Sequence, residues 1–303
     1  MSVLVSLIIT TKNEEAVIAA CLRSIENQTY KKIETIVVDN NSSDNTKKIA
    51  QSFGAKVLNK GPERSAQRNA GAKHAKGTYL LFLDADMELT PHVVEEAVAM
   101  MEDNMLRVTP LRQGYAGQAG DGLEKSTRNA STRNGKTHIV ALVIPEKSFG
   151  IGFWAACKAL ERSYYVGVSW IESARFFQKK VFQKIGGYDE ELTGPEDFEL
   201  PQRIKKTYGE NSVGRITSFI HHNEGKLSLA KTLRKKYYYG RKMQEYRKRP
   251  SSEGYFDKQA SVWNRYCLFF TKPVVFFEHP IVFIGMLIMK TLEMGAVALG
   301  TVQ

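Results

Sequence analysis

The chain has 303 residues, 43% hydrophobic and 25% charged, with a formal net charge of +11 at pH 7. That length accommodates one large α/β domain with an appendage, and that composition excludes global disorder. Its three cysteines, Cys21, Cys157 and Cys267, lie far apart with no CxxC spacing. This argues against a disulfide framework or a zinc site and fits a reducing, cytosolic setting.

The first hundred residues alternate strand and helix signals. Val3 to Thr10 is a β-branched apolar run, without the basic start and small-residue cleavage site of a secretory signal. Glu14 to Glu26 carries apolar residues at helical spacing (Val17, Ile18, Cys21, Leu22, Ile25). Ile33 to Val38 is a second short strand, followed by DNNSSDNT, a helix over Thr46 to Phe53 closed by Gly54, and a brief strand over Ala55 to Leu58. Ser65 to Lys76 reads as a helix closed by Gly77, and Tyr79 to Leu83 as a buried strand that runs into DAD. Such alternation implies crossover units and a mostly parallel sheet covered on both faces. Ligands of such sheets bind beyond the carboxyl ends of the strands. Here three polar clusters, TTKNEE, DNNSSDNT and DADME, occupy those ends.

Pro91 to Asp103 reads as a helix. Asn104 to Lys136, rich in Gly, Arg, Asn, Ser and Thr, reads as a long mobile surface loop. His138 to Ile144 returns as a strand, Trp154 to Tyr165 as a helix, and Ser173 to Gln178 as a strand followed by a helix. Glu196 to Tyr208 is a helix opened by GPED, and Val213 to His222 a strand ending in two histidines. From about residue 226 the character changes. KTLRKKYYYGRKMQEYRKRP (Lys231 to Pro250) holds the basic excess, and CLFFTKPVVFFEHPIVFIGMLIMK comes after it. The uninterrupted apolar run from Ile281 to Met289 is too short for a bilayer core, which needs roughly 20 residues. Lys290 and Glu293 break the apolar pattern beyond Met289, so an interfacial amphipathic helix is expected.

LLFLDADME delivers Asp84 and Asp86 from the end of an apolar strand. Hard divalent cations prefer carboxylate oxygens and complete their shell with substrate phosphates, although a D-x-D is also simply a polar turn. Asp39 ends another apolar strand; it suits either a helix cap or an acceptor for the imide N–H of a uracil-like base. Glu196 and Asp197 open a helix, where the positive end of the dipole keeps a carboxylate ionised. His221 and His222 end a strand, and imidazole is a good Mn²⁺ ligand. Side chains alternate along a strand, so one of the pair should face a site, and His222 is favoured. Trp154, Tyr164, Tyr165 and Trp170 read as core or as a stacking platform for a sugar.

LIITTKNEE, IVVDNNSSDNT, ERSAQRNAGAKHAKGTYLLFLDAD, IGGYDEEL and GPEDFEL occur in that order. Together, over residues 3 to 103 and 138 to 225, they resemble the family 2 inverting glycosyltransferases. The resemblance implies a GT-A type, Rossmann-like nucleotide-diphospho-sugar transferase fold, a UDP- or GDP-sugar donor, and Mn²⁺ or Mg²⁺ as cofactor. By motif, Thr10, Asn13, Glu14 and Asp39 would line the nucleoside pocket and Asp84 would sit toward the ribose or base. Asp86 would bind the metal, and Arg64 and Arg68 would face the nucleotide. Asp197 would be the general base, and His222 a second metal ligand. Lys12 stands where some relatives carry an aromatic that stacks on the base, so the base is open.

Residues 1–225 are thus expected to form the catalytic domain and 226–303 a basic and apolar helical extension. That extension suits an anionic membrane surface, placing the protein peripherally or monotopically at the cytoplasmic face with a glycan or lipid-linked acceptor; alternatively it packs on the domain or forms a homodimer. Nucleic acid is not expected as a partner, because no recognised motif is present and carboxylate-rich strand ends repel phosphate. A non-catalytic sugar-nucleotide binder is a second possibility. A nucleotidyltransferase is a third, although the Gly-rich loop of that class is absent after Thr10.

Overall fold

The computed structural model describes residues 2–108, 138–192 and 194–302. The first half comprises β1 (Val5–Thr11), α1 (Ile18–Glu26), β2 (Ile33–Asp39), α2 (Thr46–Ser52), β3 (Lys56–Asn59), α3 (Arg64–His74), β4 (Tyr79–Asp84), β5 (Met87–Leu89) and α4 (Val93–Val108). Next come β6 (Ala141–Val143), β7 (Glu146–Ile151), α5 (Phe153–Ser163), β8 (Ala174–Gln178), α6 (Lys179–Lys184), α7 (Glu196–Tyr208), β9 (Val213–Arg215) and β10 (Ile220–Lys226). The remainder is helical: α8 (Leu229–Arg247), α9 (Phe256–Ala260), α10 (Val262–Phe269), α11 (Val274–Glu278) and α12 (Pro280–Thr301).

The main sheet has the order β3-β2-β1-β4-β8-β6-β9. β3, β2, β1 and β4 are parallel and β8 runs against them, so the sheet is mostly parallel as expected. Its central strands are buried along nearly their whole length. Two apolar layers cover it: one gathers α1 and α4 side chains, the other those of α3, α6 and α7. Burial on both faces explains why β1 and β4 read as unbroken apolar runs rather than alternating ones. A second sheet, β5-β10-β7, stands beside the carboxyl ends of the first.

Three expectations about elements are corrected. α4 continues through Val108, so the polar stretch does not begin at Asn104; residues 109–136 lie outside the described residues. The single strand expected from Val213 to His222 is two strands in different sheets. The chain turns between them because Glu96 of α4 accepts the backbone N–H of Thr217 at 2.7 Å and of Ser218 at 2.8 Å, removing both from any ladder. Finally, the apolar run from Ile281 to Met289, expected to be too short for a bilayer core, is part of a longer helix. α12 is one helix of 22 residues, long and apolar enough by length and composition to cross a membrane, with 33% of its most apolar window buried.

α12 continues past Lys290 because its charges face inward. Lys290 Nζ lies 2.6 Å from Glu161 and Glu293 lies 2.5 Å from Lys158, both partners belonging to α5. All four side chains are buried. Around them Cys157 and Tyr164 pack with Phe269, Phe283, Met286 and Met289, a third core that joins the C-terminal helices to α5. α8 crosses α12 at two glycines: a side chain at Gly240 would strike the Val297 carbonyl, and one at Gly300 the Tyr237 carbonyl. The opposite side of α12 leaves Ile281, Ile284, Ile288, Leu292 and Leu299 exposed, next to exposed Phe270 and Phe277.

Candidate active site

Parallel register sets the predicted acids side by side. Thr10 pairs across from Asp84 and Thr11 across from Asp39, so the ends of β2, β1 and β4 form one edge. Asp39 is fully buried. It accepts hydrogen bonds from Thr11 Oγ1 at 3.0 Å, Ser42 N at 2.8 Å and Ser42 Oγ at 2.5 Å, and Lys47 Nζ lies 4.0 Å away. Its visible role is to organise the turn after β2.

Asn13 joins the loop after β1 to that turn. It holds a left-handed φ of 54°, which asparagine tolerates better than most residues. Its N–H donates to Ser42 Oγ at 2.8 Å, and its Oδ1 accepts from Ser43 N at 2.9 Å. The Glu14 N–H donates to Thr46 Oγ1 at 2.8 Å. Glu14 itself is half-buried. Burial, then the negative charges of Asp86 and Asp84, push its pKa up to about 7.

The two halves of the D-x-D motif face different partners. Asp84 Oδ1 accepts from Thr10 Oγ1 at 3.0 Å and from Arg68 at 3.1 Å, and its Oδ2 lies 3.6 Å from Arg64. Burial opposes ionisation, but Arg68 and Arg64 outweigh it and hold this carboxyl well below its usual range. Arg68, fully buried, also reaches Asp197 Oδ1 at 2.5 Å, with the Tyr188 ring 5.0 Å from its guanidinium. Arg64 bridges from Asp84 to Glu196, at 3.0 Å, and to the Tyr239 hydroxyl of α8, at 3.4 Å. The two arginines expected to face a nucleotide are therefore committed to carboxylates of β4 and α7.

Asp86 turns the other way. Its Oδ2 lies 3.4 Å from His222 Nε2, while its Oδ1 is buried without a hydrogen-bond partner among the described residues. Alternation on β10 buries His222 and exposes His221, whose ring rests edge-on against Phe219 and Phe149. His222 Nδ1 lies 3.1 Å from Glu146 Oε2. Burial disfavours the imidazolium, but the hydrogen bonds to Asp86 and Glu146 prevail and push the His222 pKa up to about 9.

The structure thus gathers Thr10, Glu14, Arg64, Arg68, Asp84, Asp86, Asp197 and His222 around one edge, with Asn13 and Asp39 building its wall. Sequence reasoning misses Glu146, Arg175 and the contribution of α8, where Tyr239 meets Arg64 and the charge of Lys235 reaches Glu14. Tyr164 is buried in the third core and Trp154 and Tyr165 pack against it, while Trp170 carries the Arg265 guanidinium over its ring. Tyr164, Trp154 and Tyr165 thus belong to the packing of the third core.

The family model described as glycosyl transferase family 2 matches residues 6–160, about half of the chain. Among curated relatives, glycosyltransferase AglE of Haloferax volcanii is 39% identical over 97 residues, covering 29% of this chain and 31% of that protein. The GalNAc(5)-diNAcBac-PP-undecaprenol beta-1,3-glucosyltransferase of Campylobacter jejuni is 35% identical over 94 residues, covering 28% and 30%. The chain thus matches about a third of the length of these relatives. Among solved structures, mannosyltransferase PcManGT of Pyrobaculum calidifontis, in complex with GDP-Man and Mn²⁺, aligns over 100% of this chain and 88% of its own, with TM-score 0.60 and 13% identity. S. aureus TarS 1–349 in complex with UDP-GlcNAc aligns over 98% and 90%, with TM-score 0.52 and 15% identity. These likenesses agree with the sheet order and with the acids at its edge: the chain has the GT-A fold and belongs to glycosyl transferase family 2.

Proposed function

We propose that the protein is an inverting glycosyltransferase that moves a sugar from a UDP- or GDP-linked donor to an acceptor hydroxyl with Mn²⁺ or Mg²⁺. The observation that carries this reading is the convergence of Asp84, Asp86, Asp197 and His222 from three separate stretches of chain onto one sheet edge. The solved neighbours support the donor class, since one is a complex with GDP-Man and Mn²⁺ and another with UDP-GlcNAc.

The residues fit a divalent cation. Among the described residues no group of three or more His, Cys, Asp or Glu forms a complete cage. Asp86, with its unpartnered buried Oδ1, and His222 offer a carboxylate and an imidazole, and a two-residue set leaves coordination positions for diphosphate oxygens. When bound there, the cation supplies stabilisation for the charge that develops on the diphosphate leaving group. Asp84 is not free for that task, because two arginines hold it. Asp197 is the general base. Arg68 fixes its Oδ1, whereas Oδ2 makes no hydrogen bond or ion pair among the described residues and is left to accept the proton of the acceptor hydroxyl. Attack from the side opposite the diphosphate inverts the anomeric centre.

We further propose that residues 1–225 act as the catalytic unit and that 226–303 hold it at an anionic membrane surface, where the acceptor is a glycan on a lipid carrier. Three observations support this: the exposed apolar stripe of α12, the exposed basic side chains Lys231, Arg234, Lys235 and Arg241 of α8, and the undecaprenol-linked substrates in the names of two relatives. Flotation with vesicles of neutral or anionic lipid tests the membrane part; absence of the protein from both floating fractions refutes it.

Nucleotide release from a panel of UDP- and GDP-sugars with Mn²⁺ tests the chemistry. The wild type is expected to release nucleotide, Asp86→Ala to lose both donor binding and release, and Asp197→Asn to bind donor without transferring sugar. Donor binding by the wild type with no release from any donor, even with acceptor lipid extracts, would make the protein a non-catalytic binder.

A further inference from the structure

Glu146 opens β7, an element with no motif to advertise it. β7 runs parallel to β10, with Glu146 opposite Ile220 and Ser148 opposite His222. This pairing carries the Glu146 carboxylate to the back of the His222 ring, on the side away from Asp86. Three groups converge on it. Arg175 Nε donates to Oε1 at 2.7 Å, Arg162 Nη1 donates to Oε2 at 3.3 Å, and His222 Nδ1 lies 3.1 Å from Oε2. Arg162 is itself anchored by Glu224, two residues beyond His222, through Nε at 2.7 Å. The carboxylate is thus held from β8, α5 and β10 at once.

A neutral imidazole has one N–H and one lone pair, and the group that accepts the N–H decides which nitrogen is which. A carboxylate at Nδ1 draws the proton there. It leaves the lone pair on Nε2, the nitrogen 3.4 Å from Asp86. Only that tautomer can share a cation with Asp86. We propose that Glu146 is a positioning residue for the metal: it selects the Nδ1–H tautomer of His222, and Arg162 and Arg175 hold it for that purpose. The proposal rests on the metal-dependent function proposed for this edge. Glu146 itself is not a ligand, because both of its oxygens already accept hydrogen bonds. The competing account makes Glu146 only an ion-pair hub that ties β7 to α5 and β8.

A double-substitution cycle separates the two. Mn²⁺ binding is followed by loss of the electron paramagnetic resonance signal of the free aqueous ion, with the metal alone, with UDP and with GDP. A partner behind a ligating histidine sets metal affinity by about 10- to 100-fold. Glu146→Gln is expected to weaken Mn²⁺ binding by that factor in the wild-type background and to change nothing in His222→Ala protein. Loss of the Arg175 and Arg162 partners is common to both backgrounds and cancels. Glu146→Gln with Arg175→Met restores the charge balance and keeps the test open if the single variant folds poorly. Long-range ¹⁵N–¹H spectra of the metal-free protein, recorded at a pH high enough to make the ring neutral, provide a second readout: the Nδ1–H form of His222 should dominate in the wild type and give way to a mixture in Glu146→Gln. Equal losses in both backgrounds, or an unchanged Mn²⁺ affinity in Glu146→Gln, overturn the proposal and leave the function intact. A wild type that binds no Mn²⁺ in any arm overturns both.

Discussion

Replacing Arg68 by methionine removes the one guanidinium that touches both Asp84 and Asp197. Taking one partner from a buried ion pair costs about 3–5 kcal/mol, because the other charge is left uncompensated. Here the lower end applies. Asp84 keeps Thr10 and Arg64, and the side chain of Asp197 is 20% exposed, so water partly screens it. A loss of about 3 kcal/mol is a large share of the roughly 5–15 kcal/mol that holds a domain together. At about 2–4 °C per kcal/mol for a chain of this size, Tm should fall by roughly 6–12 °C at pH 7. The pH dependence isolates the cause. The arginines hold the Asp84 carboxyl well below its ordinary value, so its contribution is complete above the unfolded pKa of about 3.9 and is lost progressively as pH falls from there toward the folded value. The gap between wild type and variant should therefore narrow below about pH 4. Arg68→Lys, which keeps a charge but cannot fork between two carboxylates, should fall between them. Thermal melts from pH 7 to pH 3 measure all of this. A Tm within a degree of wild type at pH 7, or a gap that persists unchanged into acid, would refute the ion-pair account.

Glu14 carries the opposite pH signature. Its folded pKa, raised from 4.5 to about 7, means that stability falls as pH rises through that window, since the unfolded chain gives up the proton first. Without added metal, Glu14→Gln should melt above wild type at pH 8 and level with it near pH 4; a variant less stable at both would contradict this. At the α5–α12 contact, Glu293→Leu leaves Lys158 and Lys290 to share Glu161 and removes the carboxylate beside Lys236, and should cost about 3–5 kcal/mol, whereas Lys290→Leu with Glu293→Leu leaves the Lys158–Glu161 pair matched and only Lys236 without its carboxylate, and should cost less in urea unfolding. Glu96→Ala unpairs the N–H groups of Thr217 and Ser218 and should cost about 1–3 kcal/mol. Burial opposes ionisation of Glu96, but those hydrogen bonds prevail and lower its pKa to about 2, so its contribution fades only as pH falls from about 4.5 toward 2.

The legible part of the sequence is local. Asp39, Asp84 and Asp86 stand out because each ends an apolar strand, and a parallel sheet brings strand ends together whatever lies between them. Asp197 stands out because a glycine and a proline open its helix. Strand alternation says that one of His221 and His222 faces the site, and the NEG that directly follows His222 favours it. Contacts set by distant segments are not legible. β7 reads as EKSFGI, with an exposed and irregular pattern, and only its register with β10 gives Glu146 a purpose. The break between β9 and β10 depends on Glu96, 121 residues upstream of Thr217. The apolar run in α12 reads as too short because Lys290 and Glu293 look like surface charges in the sequence, although their partners wait on α5.

The charge arithmetic of the edge explains why its acids are not interchangeable. Arg64 and Arg68 neutralise Asp84, Glu196 and Asp197 in part and lock them to one another. No arginine ion-pairs with Glu14 or Asp86 among the described residues. Negative potential therefore collects on that side, and the raised pKa of Glu14 registers it, with Asp86 a larger source than Asp84. A protein can relieve such a potential by protonating a carboxylate or by admitting a cation. His222, whose Nδ1 is already engaged by Glu146, offers Asp86 the second means. The first aspartate of the D-x-D thus belongs to the arginine lock that holds Asp197. The second is the one we propose as a metal ligand, and the single residue between them separates two electrostatic environments.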